Sequence, residues 1–345
     1  MKISVLCNDG SPLGVCESTI EGDNFRVGVG GSELALLTMC KLWKEAGHDI
    51  VLYNNPHPKG TSSFEQCPIS AFNPNEDRDI LIVFRSPNPR AIIAKGKRVW
   101  WSCDQYTIGD FRQFSGYMDK VVCISPFHAE YFKNTYGIDN VVVIDLPVRM
   151  EEFELEIERK KNHLIFSSVP DRGLHNLWRI YPKIKDQIPD LSITITSDYR
   201  LWGASELNQI YRTRWLVRED VEFLGAISRS RYIQELFKSS LMVYPCTYDE
   251  LFCYSVAEAQ CAGVPCITTA KGALATTNMG YIYWIDPSDN RNDRVIIDHA
   301  VQLFSNPAKM DIERSIIVNM ARDRFDPKRI LAHWDKHVFG ENNGK

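Results

Sequence analysis

The residues best placed by type and spacing to do chemistry lie in one segment, TYDELFCYSVAEAQCAGVPCIT, from Thr247 to Thr268. It follows the apolar run LMVY at 241–244, which reads as a strand. Asp249 and Glu250 then fall in a strand-to-helix turn. The pattern predicts a helix over 251–262, closed by Gly263, and a returning strand over 265–268. Eight helical residues span at most ~12 Å, so Glu250 and Glu258 could accept hydroxyls at the two ends of one elongated ligand. The unpaired N–H groups of the helix start suit a diphosphate between them. A plainer reading stands beside this: Glu250 is a helix-start acid favoured by the dipole, and Glu258 is an ordinary surface residue. Spacing alone does not separate the two.

Three further segments carry candidate groups. VGVGGSELALL, from Val27 to Leu37, sets Gly30 and Gly31 before a predicted helix over 32–46, where backbone can approach a ligand closely. It lacks the third glycine of the dinucleotide fingerprint, and a simple helix-start loop explains it equally. LIFSSVPDRGLHNL, from Leu164 to Leu177, holds Ser167 and Arg172 between a strand and a helix predicted over 173–184. Arg172 is either a phosphate ligand, able to grip two oxygens at once, or an exposed turn residue. RVWWSCDQYTIGDF, from Arg98 to Phe111, brings Asp104 to the end of another strand. His128 begins a helix predicted over 126–136, after a strand. Asp77-Arg78-Asp79 has the form of a metal-binding DxD but precedes a strand, and Trp100-Trp101 reads as core or cleft wall.

These loops need a scaffold with strand ends gathered on one side. The first half supplies strands predicted over 2–7, 49–53, 79–84, 98–101, 120–124 and 141–144. The second supplies 164–168, 192–196, 221–224, 241–244 and 265–268, with a helix over 231–239. Strands alternating with helices in both halves predict an α/β protein with two doubly wound parallel sheets. Leu146-Pro147 interrupts the pattern, which sets the domains at 1–147 and 148–325, with a helical tail at 326–345 that could return to the first domain. The run EEFELEIERKK at 151–161 reads as a solvated face after the linker. In open sheets of this kind, ligands bind beyond the carboxyl ends of the strands.

The bulk numbers agree. A chain of 345 residues is long for one core, and 44% hydrophobic with 24% charged residues is ordinary for a globular protein. A net charge of −4 gives no reason to expect nucleic acid as a partner. The ten cysteines form no CxxC pair and sit in apolar contexts, as reduced cytoplasmic thiols do. The opening MKISVLCNDG is too short in apolar residues for a secretory signal, and no window is apolar enough to span a membrane. A cytoplasmic location is expected, with peripheral membrane contact left open.

The Glu250–Glu258 spacing, E-x7-E, followed by A-x-x-A-G-V-P and a strand, resembles the signature of the retaining glycosyltransferases of family 4. Gly30-Gly31-x-Glu33 leading into a helix that ends Ala46-Gly47-His48-Asp49-Ile50 is similar to the N-terminal glycine loop of that family. The resemblance implies the GT-B fold, two Rossmann-like domains facing across a cleft. It implies transfer of a hexose from a UDP- or GDP-sugar to a hydroxyl of a glycan, lipid-linked or small-molecule acceptor, with retention and without metal or other cofactor. It implies that Glu250 contacts the donor hexose and Glu258 the ribose. It also implies that the backbone of Leu251, Phe252 and Cys253 faces the phosphates, and that Gly30 and Gly31 reach the diphosphate. Arg172 stands where the family has a Lys before Gly, Ser167 where it has an Arg, and Asp104 near the place of a His. VEFLG at 221–225 resembles the nucleobase loop. A GT-B epimerase and a silent binding module are the competing readings, separated from transfer by acid/base groups at the sugar and by donor turnover respectively.

Overall fold

The computed structural model describes residues 1–7, 14–21, 28–202, 204 and 207–340. The glycine run begins at Val27, outside the described residues. The chain divides into two compact units, one built on the residues up to Pro147 together with those from Phe325, the other running from Val148 to Arg324.

Strands of the first unit are β1 (Lys2–Leu6), β2 (Asp49–Tyr53), β3 (Glu65–Cys67), β4 (Ile80–Phe84), β5 (Lys97–Trp101), β6 (Lys120–Cys123) and β7 (Val141–Val143). They form one sheet in the order β3-β2-β1-β4-β5-β6-β7. Every pairing is parallel, with Ile3 opposite Ile50 on one side and Ile80 on the other. A central strand buried on both faces must be apolar throughout, and β4, ILIVF, is buried at all five positions. β3 was not expected from the sequence; its three residues at a sheet edge are too few to show a period.

The two tryptophans that end β5 point to opposite faces, as strand neighbours must. Trp100 packs edge-on against Phe111 and Phe114. Trp101 meets Trp43 of the helix Gly31–Glu45 and Trp334 of the helix Pro327–Trp334. The C-terminal tail thus closes the first unit's core: Trp334 lies 5.0 Å from Trp43, and Lys97 Nζ donates to the Val338 carbonyl.

The second unit's strands are β8 (His163–Phe166), β9 (Ser192–Ile195), β10 (Val221–Phe223), β11 (Leu241–Tyr244), β12 (Cys266–Thr269) and β13 (Tyr281–Tyr283). Their order is β10-β9-β8-β11-β12-β13, again parallel. The run at 151–161 is only partly a solvated face. Phe153 is buried, and Arg159 Nη1 donates to the Ser239 carbonyl at 2.7 Å. All ten cysteines are free thiols, and no described helix is long and apolar enough to cross a membrane.

His128, which the sequence places near the start of a helix after a strand, lies in the core. It is fully buried against Phe132, and its Nδ1 accepts from Ile124 N at 3.3 Å. Burial holds it neutral, with its pKa lowered to about 3. His163 is held neutral in the same way, lowered to about 4 by burial and Lys160, with Ser192 and Thr194 hydroxyls on its two nitrogens. Both native values lie below the ordinary 6.5, so only the unfolded chain takes up these protons as pH falls from 6.5. Their contribution is complete above 6.5 and declines toward pH 3. Each histidine is expected to add a slope of about 1.4 kcal/mol per pH unit to unfolding between pH 6 and 4. Urea unfolding across that range checks this, since His128→Leu should flatten the slope by about one proton. An unchanged slope contradicts a neutral native His128.

Candidate functional site

In both sheets the strand order reverses once, between β1 and β4 in the first unit and between β8 and β11 in the second. Chain leaving neighbouring strands at such a point turns to opposite sides and opens a crevice at the carboxyl ends. The segments singled out from the sequence fall largely at these points.

At the second unit's reversal, the loop after β8 holds Ser167 to Gly173 and the loop after β11 holds Pro245 to Cys253. Gly173 adopts φ +109°, and a Cβ there would come within 2.5 Å of the Pro245 carbonyl oxygen. Only glycine lets the two loops press together. Asn176 Nδ2 holds the same carbonyl at 3.0 Å, and Thr269 Oγ1 holds the Cys246 carbonyl at 2.6 Å. Contact between the loops brings Arg172 onto the second. Its guanidinium carbon lies 3.5 Å from the Tyr248 ring centroid. Nη1 donates to Asp171 Oδ2 at 2.9 Å, and Nε lies 3.5 Å from Glu250 Oε1. Arg172 is therefore no exposed turn residue; its side chain is 13% exposed.

Glu250 is fixed from three sides. The Tyr244 hydroxyl donates to its Oε1 at 2.8 Å and lies 3.1 Å from Ser168 Oγ. The Glu250 carbonyl accepts from Ala273 N at 2.6 Å, beside Gly272 at φ +58°. Burial raises the Glu250 pKa, opposed by Arg172 and the Tyr244 hydroxyl. Burial lowers that of Arg172, but Glu250 and Asp171 overcome it and the charge is held firmly.

The expected helix over 251–262 is shorter: it spans Tyr254–Cys261. Cys253 is left-handed at φ +69°, which ends any helical path backward from Tyr254. Glu250 is therefore not at a helix start, and Leu251, Phe252 and Cys253 form a buried turn in front of the helix. Nor is Glu258 a surface residue. It is 3% exposed, and its carboxylate pairs with Arg229 Nη2. Arg229 Nε also binds Glu152 Oε2 at 2.7 Å. Burial works against the Arg229 charge, but Glu258 and Glu152 hold it well above its ordinary value. Ser167 joins this group, since Tyr232 OH lies 3.3 Å from its Oγ and Ser255 Oγ donates to its carbonyl at 2.5 Å. Asp198, past the end of β9, accepts at 3.1 Å from Ala226 N in the loop after β10, beside Gly225.

In the first unit, Gly30 is extended and Gly31 opens the helix Gly31–Glu45, one residue ahead of the expected start. Glu33 in its first turn accepts from Arg85 Nη1 at 2.9 Å. Arg85 follows β4 at φ +64° and binds Asp104 through Nε at 2.7 Å and Nη2 at 3.4 Å. Asp104 is thus half of an ion pair rather than a lone carboxylate. Asp77 is tied to Lys95 at 2.7 Å, and Asp79 accepts from Lys2 N at 2.7 Å. Among the described residues, no cluster of three His, Cys, Asp or Glu could hold a metal ion.

Sequence reasoning missed Arg85, Arg229, Tyr244 and Tyr248. Arg85 and Tyr248 each sit one to four residues past a strand end, which is a usable signal. Arg229 at a helix start gives none.

Residues 149–311 match the family model for glycosyl transferases group 1, which covers most of the second unit. Three solved structures resemble the whole chain. A glycosyltransferase from Rickettsia africae shares 14% identity at TM-score 0.71, over 96% of each chain. The fold is GT-B. Sucrose-phosphate synthase from Thermosynechococcus elongatus has the same GT-B architecture at 13% identity and TM-score 0.68, over 96% of this chain and 97% of that one. HepE of Anabaena, solved with UDP and glucose, matches at 14% and 0.68, over 96% and 98%. No curated protein sequence matches the chain. Arg172, Glu250 and Glu258 all lie within the matched residues.

Two glycines test the loop contact. Gly137 has φ +67° with open space where a Cβ would go, whereas Gly173 combines φ +109° with the Pro245 collision. Gly137→Ala is expected to cost about 1 kcal/mol from backbone strain and Gly173→Ala about 2 to 4 kcal/mol. Denaturant midpoints measure both. Equal losses contradict the pressing together of the two loops.

Proposed function

We propose that the chain is a retaining glycosyltransferase that moves a hexose from a UDP- or GDP-sugar to a hydroxyl acceptor without a metal. The observation that carries this reading is the meeting of the Arg172 guanidinium and the Glu250 carboxylate where the strand order reverses, inside the group 1 domain.

Departure of a nucleoside diphosphate leaves negative charge on its outer phosphate while the sugar becomes oxocarbenium-like. Arg172, held in a partly buried site, stabilises that charge; preorganised groups act strongly where water is excluded. Glu250 accepts a hydrogen bond from a hydroxyl of the departing hexose. Backbone N–H groups of the turn Leu251, Phe252 and Cys253, with Ser167, complete the phosphate contacts. Glu258 takes the ribose hydroxyls. A carboxylate has about four acceptor positions, so it can bind Arg229 and still accept from a diol. Retention is assigned to same-face attack, the leaving phosphate accepting the acceptor's proton, so no opposed carboxylate pair is required. HepE, solved with UDP-glucose, supports a uridine donor by similarity, with 16% identity and TM-score 0.68.

Two substitutions separate the roles. Arg172→Ala is expected to weaken UDP or GDP binding by about ten- to a hundredfold while sparing the nucleoside, the value of a charged hydrogen bond. Glu250→Gln should leave the diphosphate affinity near wild type and lower turnover of the intact donor by a similar factor. Calorimetry with each ligand, in EDTA, alongside donor turnover reads all of these. A folded Glu250→Gln with wild-type turnover contradicts the reading, as does affinity lost in EDTA and restored by Mn²⁺.

A further inference from the structure

Two carboxylates, Asp171 and Glu250, lie against the Arg172 charge, and Ser167 in the same loop is an uncharged residue. A long side chain between two anions would follow whichever carboxylate drew it more strongly unless its plane were fixed. Tyr248 supplies that constraint. Its ring lies under the guanidinium with the charge centre 3.5 Å from the centroid, well inside the range of a cation–π contact.

The backbone that carries the ring is held in turn. The Tyr248 carbonyl accepts from Glu250 N at 2.9 Å and from the Cys246 thiol at 3.5 Å. Cys246 N in turn donates to the Tyr244 carbonyl at 2.9 Å, and its own carbonyl is held by Thr269. From the end of β11 to Glu250 the loop is a chain of short turns, with Tyr248 at its crest and Arg172 resting on it.

We infer that Tyr248 is a positioning residue for Arg172, its ring setting the plane in which the guanidinium meets a diphosphate. This rests on the diphosphate role proposed for Arg172 and adds the residue that makes one cation sufficient. The hydroxyl of Tyr248 is not required; the aromatic face is.

The test uses the full chain and calorimetric titration with UDP and uridine, and with GDP and guanosine. Tyr248→Leu, which keeps bulk and loses the ring, is expected to weaken the bound diphosphate about 3- to 30-fold and to leave the nucleoside within twofold. Tyr248→Phe should bind like wild type. In the double variant Tyr248→Leu/Arg172→Ala the loss should equal that of Arg172→Ala alone, because the ring acts only through the arginine. A merely structural tyrosine would weaken nucleoside and diphosphate together and add its loss to that of Arg172→Ala. Unchanged affinity in Tyr248→Leu, additive losses, or an equal loss in Tyr248→Phe each overturn the inference while leaving the transferase reading intact. Binding of neither UDP nor GDP by wild type overturns both.

Discussion

One close approach organises the second unit's site: Gly173 against the Pro245 carbonyl. At the reversal of strand order the two neighbouring strands send their chains to opposite sides, so their following loops ordinarily diverge. A residue without a Cβ lets these two touch before they part. From that touch follows the set of contacts that gives the site its charge pattern: Arg172 on Tyr248, Arg172 beside Glu250, and Glu250 under Tyr244. The carboxylate and guanidinium are partly withdrawn from water, which raises the strength of whatever they bind and the penalty for leaving either alone.

The two units repeat one design with different chemistry. In each, a basic residue in the loop that follows a strand at the reversal of strand order ties acidic groups from separate segments. In the first, Arg85 joins Glu33 and Asp104; in the second, Arg172 joins Asp171 and Glu250. Arg85 holds a left-handed backbone with no glycine to ease it, at a cost of order 1–3 kcal/mol. Its carbonyl accepts from Trp100 Nε1 at 2.7 Å, so the core of the first unit holds the strained residue in place.

The parallel α/β architecture was legible because buried central strands must be apolar and their helices must be amphipathic. β4 and β11 could be read as near-continuous apolar runs. β3 could not, since three residues at an edge carry no period. β13, with three half-buried residues, was missed for the same reason. Around the candidate site, the E-x7-E spacing singled out the segment from Thr247 to Thr268, whose helix begins later than its pattern predicts. Helical periodicity of Val256, Ala259 and Gly263 extends no further back than Tyr254, and nothing in a cysteine announces the left-handed turn at Cys253. The neutral His128 and the buried Glu258 share another cause. A polar residue in a helix reads as exposed, and only the partner (here a backbone N–H and Arg229) shows that burial is tolerated.

The central claim, that the reversal point of the second sheet receives the diphosphate of a sugar nucleotide, is most directly tested by calorimetric titration of the wild-type chain with UDP-glucose, UDP-N-acetylglucosamine and GDP-mannose. The account predicts saturable one-to-one binding of at least one of them, competed by its own nucleoside diphosphate and more weakly by the nucleoside. Absence of binding at millimolar concentration for all three, or binding that the diphosphate fails to displace, would contradict it.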